Sequence, residues 1–135
     1  MTAIGALKSD EKIDTIVVDT IGMLRNLYAL ADIAYVGGSL VNCGGHNPIE
    51  PAALGKPILF GPDMSDFKEI SDMLLKSQGA LQIDDAGSLF KATAMLLGDK
   101  EKAVAMGARA YHLFCANKGA VKKTLKAVEA CIQPY

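Results

Sequence analysis

The sequence lacks most of what marks a specialised chain. Neither sign of charge prevails, since fourteen Lys and Arg stand against fifteen Asp and Glu for a formal net charge of −1. Nothing there supports nucleic acid or an anionic membrane as a main partner. Cysteine is scarce: Cys43, Cys115 and Cys131 are an odd number, with no CxxC and no metal-ligand spacing. That favours reduced thiols in a cytoplasmic compartment. No apolar run approaches the ~18–20 residues that a bilayer span needs. No segment resembles a signal peptide, and there is no internal repeat or low-complexity tract. What remains is a globular composition, 50% apolar and 21% charged over 135 residues, long enough for one domain with a real core.

Short β-branched and apolar runs alternate with segments of helical periodicity. The runs Ile16–Val18, Ile33–Val36, Pro57–Phe60 and Ala80–Ile83 read as strands. Between and after them, helices are expected over Met23–Ala31, Pro48–Leu54, Asp66–Gln78, from Asp84 or Asp85 to Gly98, Asp99–Asn117 and Gly119–Cys131. The expected inward positions are Leu89, Phe90, Thr93, Leu96 and Leu97 on the fourth helix. On the last two they are Val104, Ala108, Tyr111 and Phe114, then Val121, Leu125, Val128 and Ile132. Met1 to Asp14 is polar and is expected to be poorly ordered at least to Asp10. This alternation indicates βαβ units and a parallel sheet of about four strands covered by helices on both faces. In such sheets ligands sit beyond the carboxyl ends of the strands. Three loops fall at that edge, Asp19–Gly22, Gly37–Asn47 and Gly61–Asp66, and the polar and glycine residues cluster in them.

The chain is organised around the middle loop, Val36-Gly37-Gly38-Ser39-Leu40-Val41-Asn42-Cys43-Gly44-Gly45-His46-Asn47-Pro48-Ile49-Glu50. A strand, a turn with two glycine pairs and a helix start together make an anion site, because free amides and the positive helix end face one point. On this reading the amides of residues 44 to 47 grip a phosphate. The same residues would also start a helix with no ligand: Asn47 at N-cap, Pro48 at the first helical position, and Glu50 reaching back as a capping box. The readings compete, since one Glu50 oxygen cannot serve both. His46 is read as a phosphate donor. His112 is read as a half-exposed surface residue, Cys43 as no nucleophile for want of a base, and Lys118, Lys122, Lys123 and Lys126 as a solvated helix face.

Five blocks then follow one another in order: Asp19-Thr20-Ile21-Gly22-Met23-Leu24, Leu27-Tyr28-Ala29-Leu30-Ala31-Asp32, Val36-Gly37-Gly38-Ser39-Leu40, Gly44-Gly45-His46-Asn47-Pro48-Ile49-Glu50-Pro51-Ala52 and Gly61-Pro62. Together they resemble the C-terminal half of the 3-deoxy-D-manno-octulosonic acid (Kdo) transferases, strongly from Val17 to Ile83 and loosely in the last two helices. The resemblance implies an incomplete C-terminal domain of a GT-B glycosyltransferase, with a Rossmann-like sheet. It implies binding of the donor CMP-Kdo and transfer of Kdo to a lipid A precursor in lipopolysaccharide synthesis, with inversion, no metal and no cofactor. By motif match, Gly38, Ser39, Gly44, Gly45, His46 and Asn47 would line the CMP phosphate. Glu50 would bond the ribose hydroxyls, and the Gly22-Met23 backbone would lie near cytosine.

Two positions depart from the family pattern: Met23 stands where Glu is usual, and Asp66 where Asn is frequent, so Asp66 reads as a helix cap. The acceptor domain, with its membrane anchor and catalytic carboxylate, has no counterpart. The parent protein is expected at the inner face of the bacterial inner membrane, this chain alone is expected to be inactive, and Met1 is expected to mark a cut-down or broken reading frame. Two strands of the nucleotide-binding sheet are also missing, so the gap is expected to be closed by Ile16–Val18 pairing beside Ile33–Val36, or by another copy of the chain at the exposed sheet edge. Two other readings fit the same residues less fully: a different GT-B nucleotide-sugar enzyme (a UDP-sugar transferase or an epimerase), or a non-enzymatic interaction module.

Overall fold

A computed structural model describes residues 15–132, without the side chains of residues 120–123; the expected disorder of residues 1–10 lies outside that range. The elements are α1 (Leu24–Leu30), β1 (Ala34–Val36), α2 (Ile49–Ala53), β2 (Ile58–Phe60), α3 (Lys68–Lys76), β3 (Ala80–Gln82), α4 (Ala86–Gly98), α5 (Lys100–Asn117) and α6 (Ala120–Cys131). The strands form one parallel sheet in the order β1-β2-β3, with Ala34 beside Ile58 and Ile58 beside Ala80. Parallel neighbours need a crossover. Here α2 supplies the first, and a 3-10 turn at Ser65–Phe67 followed by α3 supplies the second.

The central strand explains the core. Ile58, Leu59 and Phe60 are all essentially inaccessible, and because successive side chains point to opposite faces they seed two clusters. Ile58 and Phe60 pack with Val36, Ala52, Met64, Leu74, Ala80 and Ala110. Leu59 packs with Leu96 and Met106. Helices α2 and α3 cover the first face and α4 the second, so both faces are clothed as the uninterrupted apolar runs require.

Helix α5 closes the end of the sheet away from the polar loops. A Cβ on Gly107 would collide with the backbone oxygen of Gly55, just ahead of β2, and one on Gly79, just ahead of β3, would lie 2.8 Å from the Ala110 backbone. The buried positions of α5 are therefore Met106, Gly107 and Ala110, whereas Val104 is 62% and Tyr111 45% exposed. Of the expected stripe only Phe114 packs against the core; Val104, Ala108 and Tyr111 miss it, because this contact is backbone against backbone through small residues that hydropathy does not weight.

Other expectations fail for want of a partner. Residues 15–20 form no strand, and Val17 is 87% exposed. The sheet therefore has three strands among the described residues, and β1 pairs with β2 alone; Ile16–Val18 does not pair beside it. A β-branched run is a strand only when a neighbour takes its backbone bonds. On α4, Leu96 is buried but Phe90 and Leu97 are exposed, and Leu125, Val128 and Ile132 of α6 are exposed too; Val121 lies outside the described side chains. Helix α1 forms where periodicity placed it, yet buries none of its residues. No helix among the described residues is long and apolar enough to cross a membrane.

Local capping follows the sequence at one place and departs from it at another. Asp85 starts α4 through a capping box, accepting from Ser88 N–H at 2.6 Å while Ser88 Oγ accepts from Asp85 N–H at 3.0 Å. Asp66 caps nothing: the 3-10 turn at residues 65–67 leads into α3 with no side-chain cap.

Candidate functional site

Strands β1 and β2 deliver two loops, residues 37–48 and 61–67, to the same sheet edge, where they are laced together. Ser39 is the central knot. It is fully buried; its Oγ donates to Val36 O at 2.6 Å and accepts from Gly61 N–H at 2.7 Å, and its carbonyl accepts from Asp63 N–H at 3.0 Å. The Ser39 hydroxyl, expected to line a phosphate, thus donates and accepts inside the protein. A Cβ on Gly61 would strike the Ser39 backbone, so the two loops meet closely.

The amides of the glycine loop are likewise committed. Gly44 N–H donates to Asp63 Oδ2 at 2.8 Å, Gly45 N–H to Gly38 O at 3.2 Å, and His46 N–H to Gly37 O at 3.0 Å. They do not converge on an open point, which corrects the anion-grip geometry expected for residues 44 to 46. The loop instead folds back on its own start, with a carboxylate seated on Gly44. Gly44 O also accepts from Asp66 N–H at 3.1 Å. At Gly44, φ is +76° and a side chain would run into the Asp66 carboxylate, so only glycine fits.

Of the other expected residues, His46, Gly22 and Met23 face solvent, while Asn47 and Glu50 are half-buried. The His46 side chain is exposed, with its ring against Gly37 and Gly38, where an added Cβ would sit 3.4 Å away. The first glycine pair thus makes room for an imidazole. Asn47 is half-buried, and its Oδ1 accepts from Ile49 N–H at 2.9 Å, a bond across the turn that leads into α2, whose N-cap is Pro48. Glu50 is half-buried and forms no capping box among the described residues. Its negative charge instead acts on Tyr28 of α1: burial first, and then Glu50, push the phenol above its ordinary value. Gly22 and Met23 are exposed at the start of α1 and share no hydrogen bond with the loop among the described residues.

Sequence reasoning missed Asp63 and Tyr28. Asp63 Oδ1 accepts from Ser65 Oγ at 2.8 Å and Ser65 N–H at 3.3 Å while Oδ2 holds Gly44. The Gly44 amide, followed by Ser65, holds its carboxyl below the usual carboxylate range. The Asp-x-Ser spacing after Gly61-Pro62 was the available signal for the turn; nothing in it pointed across to Gly44. His112 is exposed, and Lys118 Nζ lies 5.4 Å from the Phe114 ring centroid. No group of three or more His, Cys, Asp or Glu among the described residues could hold a metal ion.

The chain is similar to known proteins. The chain is 38% identical over 127 residues to the 3-deoxy-D-manno-octulosonic acid transferase of Haemophilus influenzae. It is a sequence relative of the Kdo transferases. That alignment covers 93% of this chain and 29% of the relative; with the Bordetella pertussis transferase, identity is 36% over 87% of this chain and 27% of the relative. The chain therefore spans less than a third of the length of these curated relatives. Its fold is similar to the solved C-terminal CMP-Kdo binding domain of WaaA from Acinetobacter baumannii, with a TM-score of 0.68 and 32% identity over 71% of this chain and 50% of that one. No protein-family model matches the chain. The likeness to the Kdo transferases and the Rossmann-like architecture read from the residues both hold, with three strands in place of four.

Proposed function

We propose that this chain binds the nucleotide of CMP-Kdo and forms the donor-side portion of a Kdo transferase, a glycosyltransferase adding Kdo to a lipid A precursor in lipopolysaccharide synthesis. The observation that carries this reading is the 32% identity and shared fold with a domain described as binding CMP-Kdo. The geometry supports particular roles. Glu50, free of its own helix start, can accept two hydrogen bonds from a ribose diol. The His46 ring and the Asn47 amide group reach the phosphate from the loop mouth, and the Gly22-Met23 backbone meets the base. Gly38, Gly44 and Gly45 shape the loop rather than lending their amides. On this reading these residues supply the donor side, and the acceptor and the catalytic carboxylate belong to an N-terminal domain at the inner face of the bacterial inner membrane.

The test is a titration of the 135-residue chain with CMP and with UMP, followed by amide and imidazole resonances. Millimolar CMP is expected to move His46 and Asn47 and to bind more tightly than UMP. Glu50→Gln is expected to weaken CMP about tenfold, the loss of charge-assisted bonds to the ribose. Stationary His46 and Asn47 signals at millimolar CMP would overturn the assignment.

A further inference from the structure

The loop that would meet the ligand is held by a side chain from a different loop. Asp63 makes four links within this edge: its amide to Ser39 O at 3.0 Å, Oδ2 to Gly44 N–H at 2.8 Å, and Oδ1 to both Ser65 N–H and Ser65 Oγ. The bond to Gly44 spans nineteen residues of sequence and is the side-chain bond from the 61–67 loop to an amide of the outer glycine pair. Gly45 and His46 then fold onto Gly38 and Gly37, which seats the His46 ring on the first glycine pair. A carboxylate accepting an amide proton is a strong, directional bond; beside it the loop is held by a 3.2 Å contact from Gly45 to Gly38, at the long end for an amide, and a 3.0 Å bond from His46 to Gly37.

We infer that Asp63 is a positioning residue: its carboxylate occupies the Gly44 amide in place of an external anion, and so orients His46 and Asn47 as the groups the loop offers to a ligand. Within the function proposed above, the loop then recognises phosphate through side chains rather than through a nest of amides. This also gives the two glycine pairs separate tasks. Gly37 and Gly38 leave room for the imidazole, and Gly44 allows the chain to turn past Asp66 and meet Asp63.

Asp63→Ala and Asp63→Asn in the 135-residue chain separate this from a purely structural role. Without ligand, Asp63→Ala is expected to move the Gly44 amide upfield and to shift His46 and Asn47, while Leu74 and Ala80 in the core stay in place. Asp63→Asn, whose one carbonyl oxygen can keep either the Gly44 bond or the Ser65 pair but not both, is expected to fall between. With CMP, Asp63→Ala is expected to bind about tenfold more weakly than the native chain. Unmoved His46 and Asn47 signals in ligand-free Asp63→Ala would overturn the inference, whether or not CMP binds the native chain. Equal or tighter CMP binding by Asp63→Ala would overturn it too, tighter binding meaning that the carboxylate competes with phosphate. Failure of the native chain to respond to CMP would count against the proposed function alone.

Discussion

The loop edge and the terminal helices are opposite outcomes of similar sequence signals. At the edge, the residues 37–48 and 61–67 carry few large apolar groups, yet Ser39, Gly44 and Gly61 are buried and the two loops are joined by bonds from Gly44 to Asp63 and from Gly61 to Ser39. In α1 and α6 the apolar periodicity is clear, yet Leu24, Leu125 and Val128 face solvent. Periodicity states which residues could be covered; burial requires something to cover them. The edge is ordered by hydrogen bonds whose donors and acceptors are both local to the sheet, and the terminal helices carry faces that the described residues leave open.

That contrast can be broken or sharpened by substitution. Phe60→Ala removes a ring at the centre of the larger cluster and is expected to cost about 3–5 kcal/mol in urea unfolding. A cost under ~1 kcal/mol would mean that the sheet is not the core. Gly107→Ala places a methyl against the Gly55 backbone, where neither side can swing away. A loss of about 1–3 kcal/mol is expected from overpacking, visible as a lower thermal midpoint, and an unchanged midpoint would show that α5 does not lie against the sheet end.

Acid should loosen the edge before the core. Asp63 has its pKa lowered by Gly44 and Ser65, so its contribution is present above the ordinary carboxylate value of about 3.9 and fades as pH falls through the lower folded value. Hydrogen exchange at Gly44, corrected for its intrinsic pH dependence, is expected to lose protection over that acid window while Leu59 keeps its own. Equal loss at both would merge the two regions into one cooperative unit. The smallest effect is expected at Leu125→Ala on the open face of α6, within about 0.5 kcal/mol. A loss near that of Phe60→Ala would mean the face is covered in solution.

The candidate site was legible in unequal parts. The likeness to the Kdo transferases follows from blocks of sequence in order, whereas the spacing that offered Glu50 a capping box goes unused in the fold. The reading of Gly44, Gly45 and His46 as open donors did not survive, because an amide's partner is not written in its own neighbourhood. Gly44 finds Asp63 nineteen residues away, and Ser39 finds Gly61 at a similar remove.

By itself the sequence determined the order of the elements, the parallel sheet and its two clothed faces, since period-2 and period-3.6 patterns and the short apolar runs act through neighbours in the chain. Tertiary structure decided which patterns were used. It left Ile16–Val18 without a strand to join, turned α5 so that Gly107 and Ala110 rather than Val104 and Tyr111 met the sheet, and placed Asp63 on the Gly44 amide. The physical reason is common to all three: a strand edge, a close backbone approach and a buried amide each acquire their meaning from atoms distant in sequence, and only folding brings those atoms together.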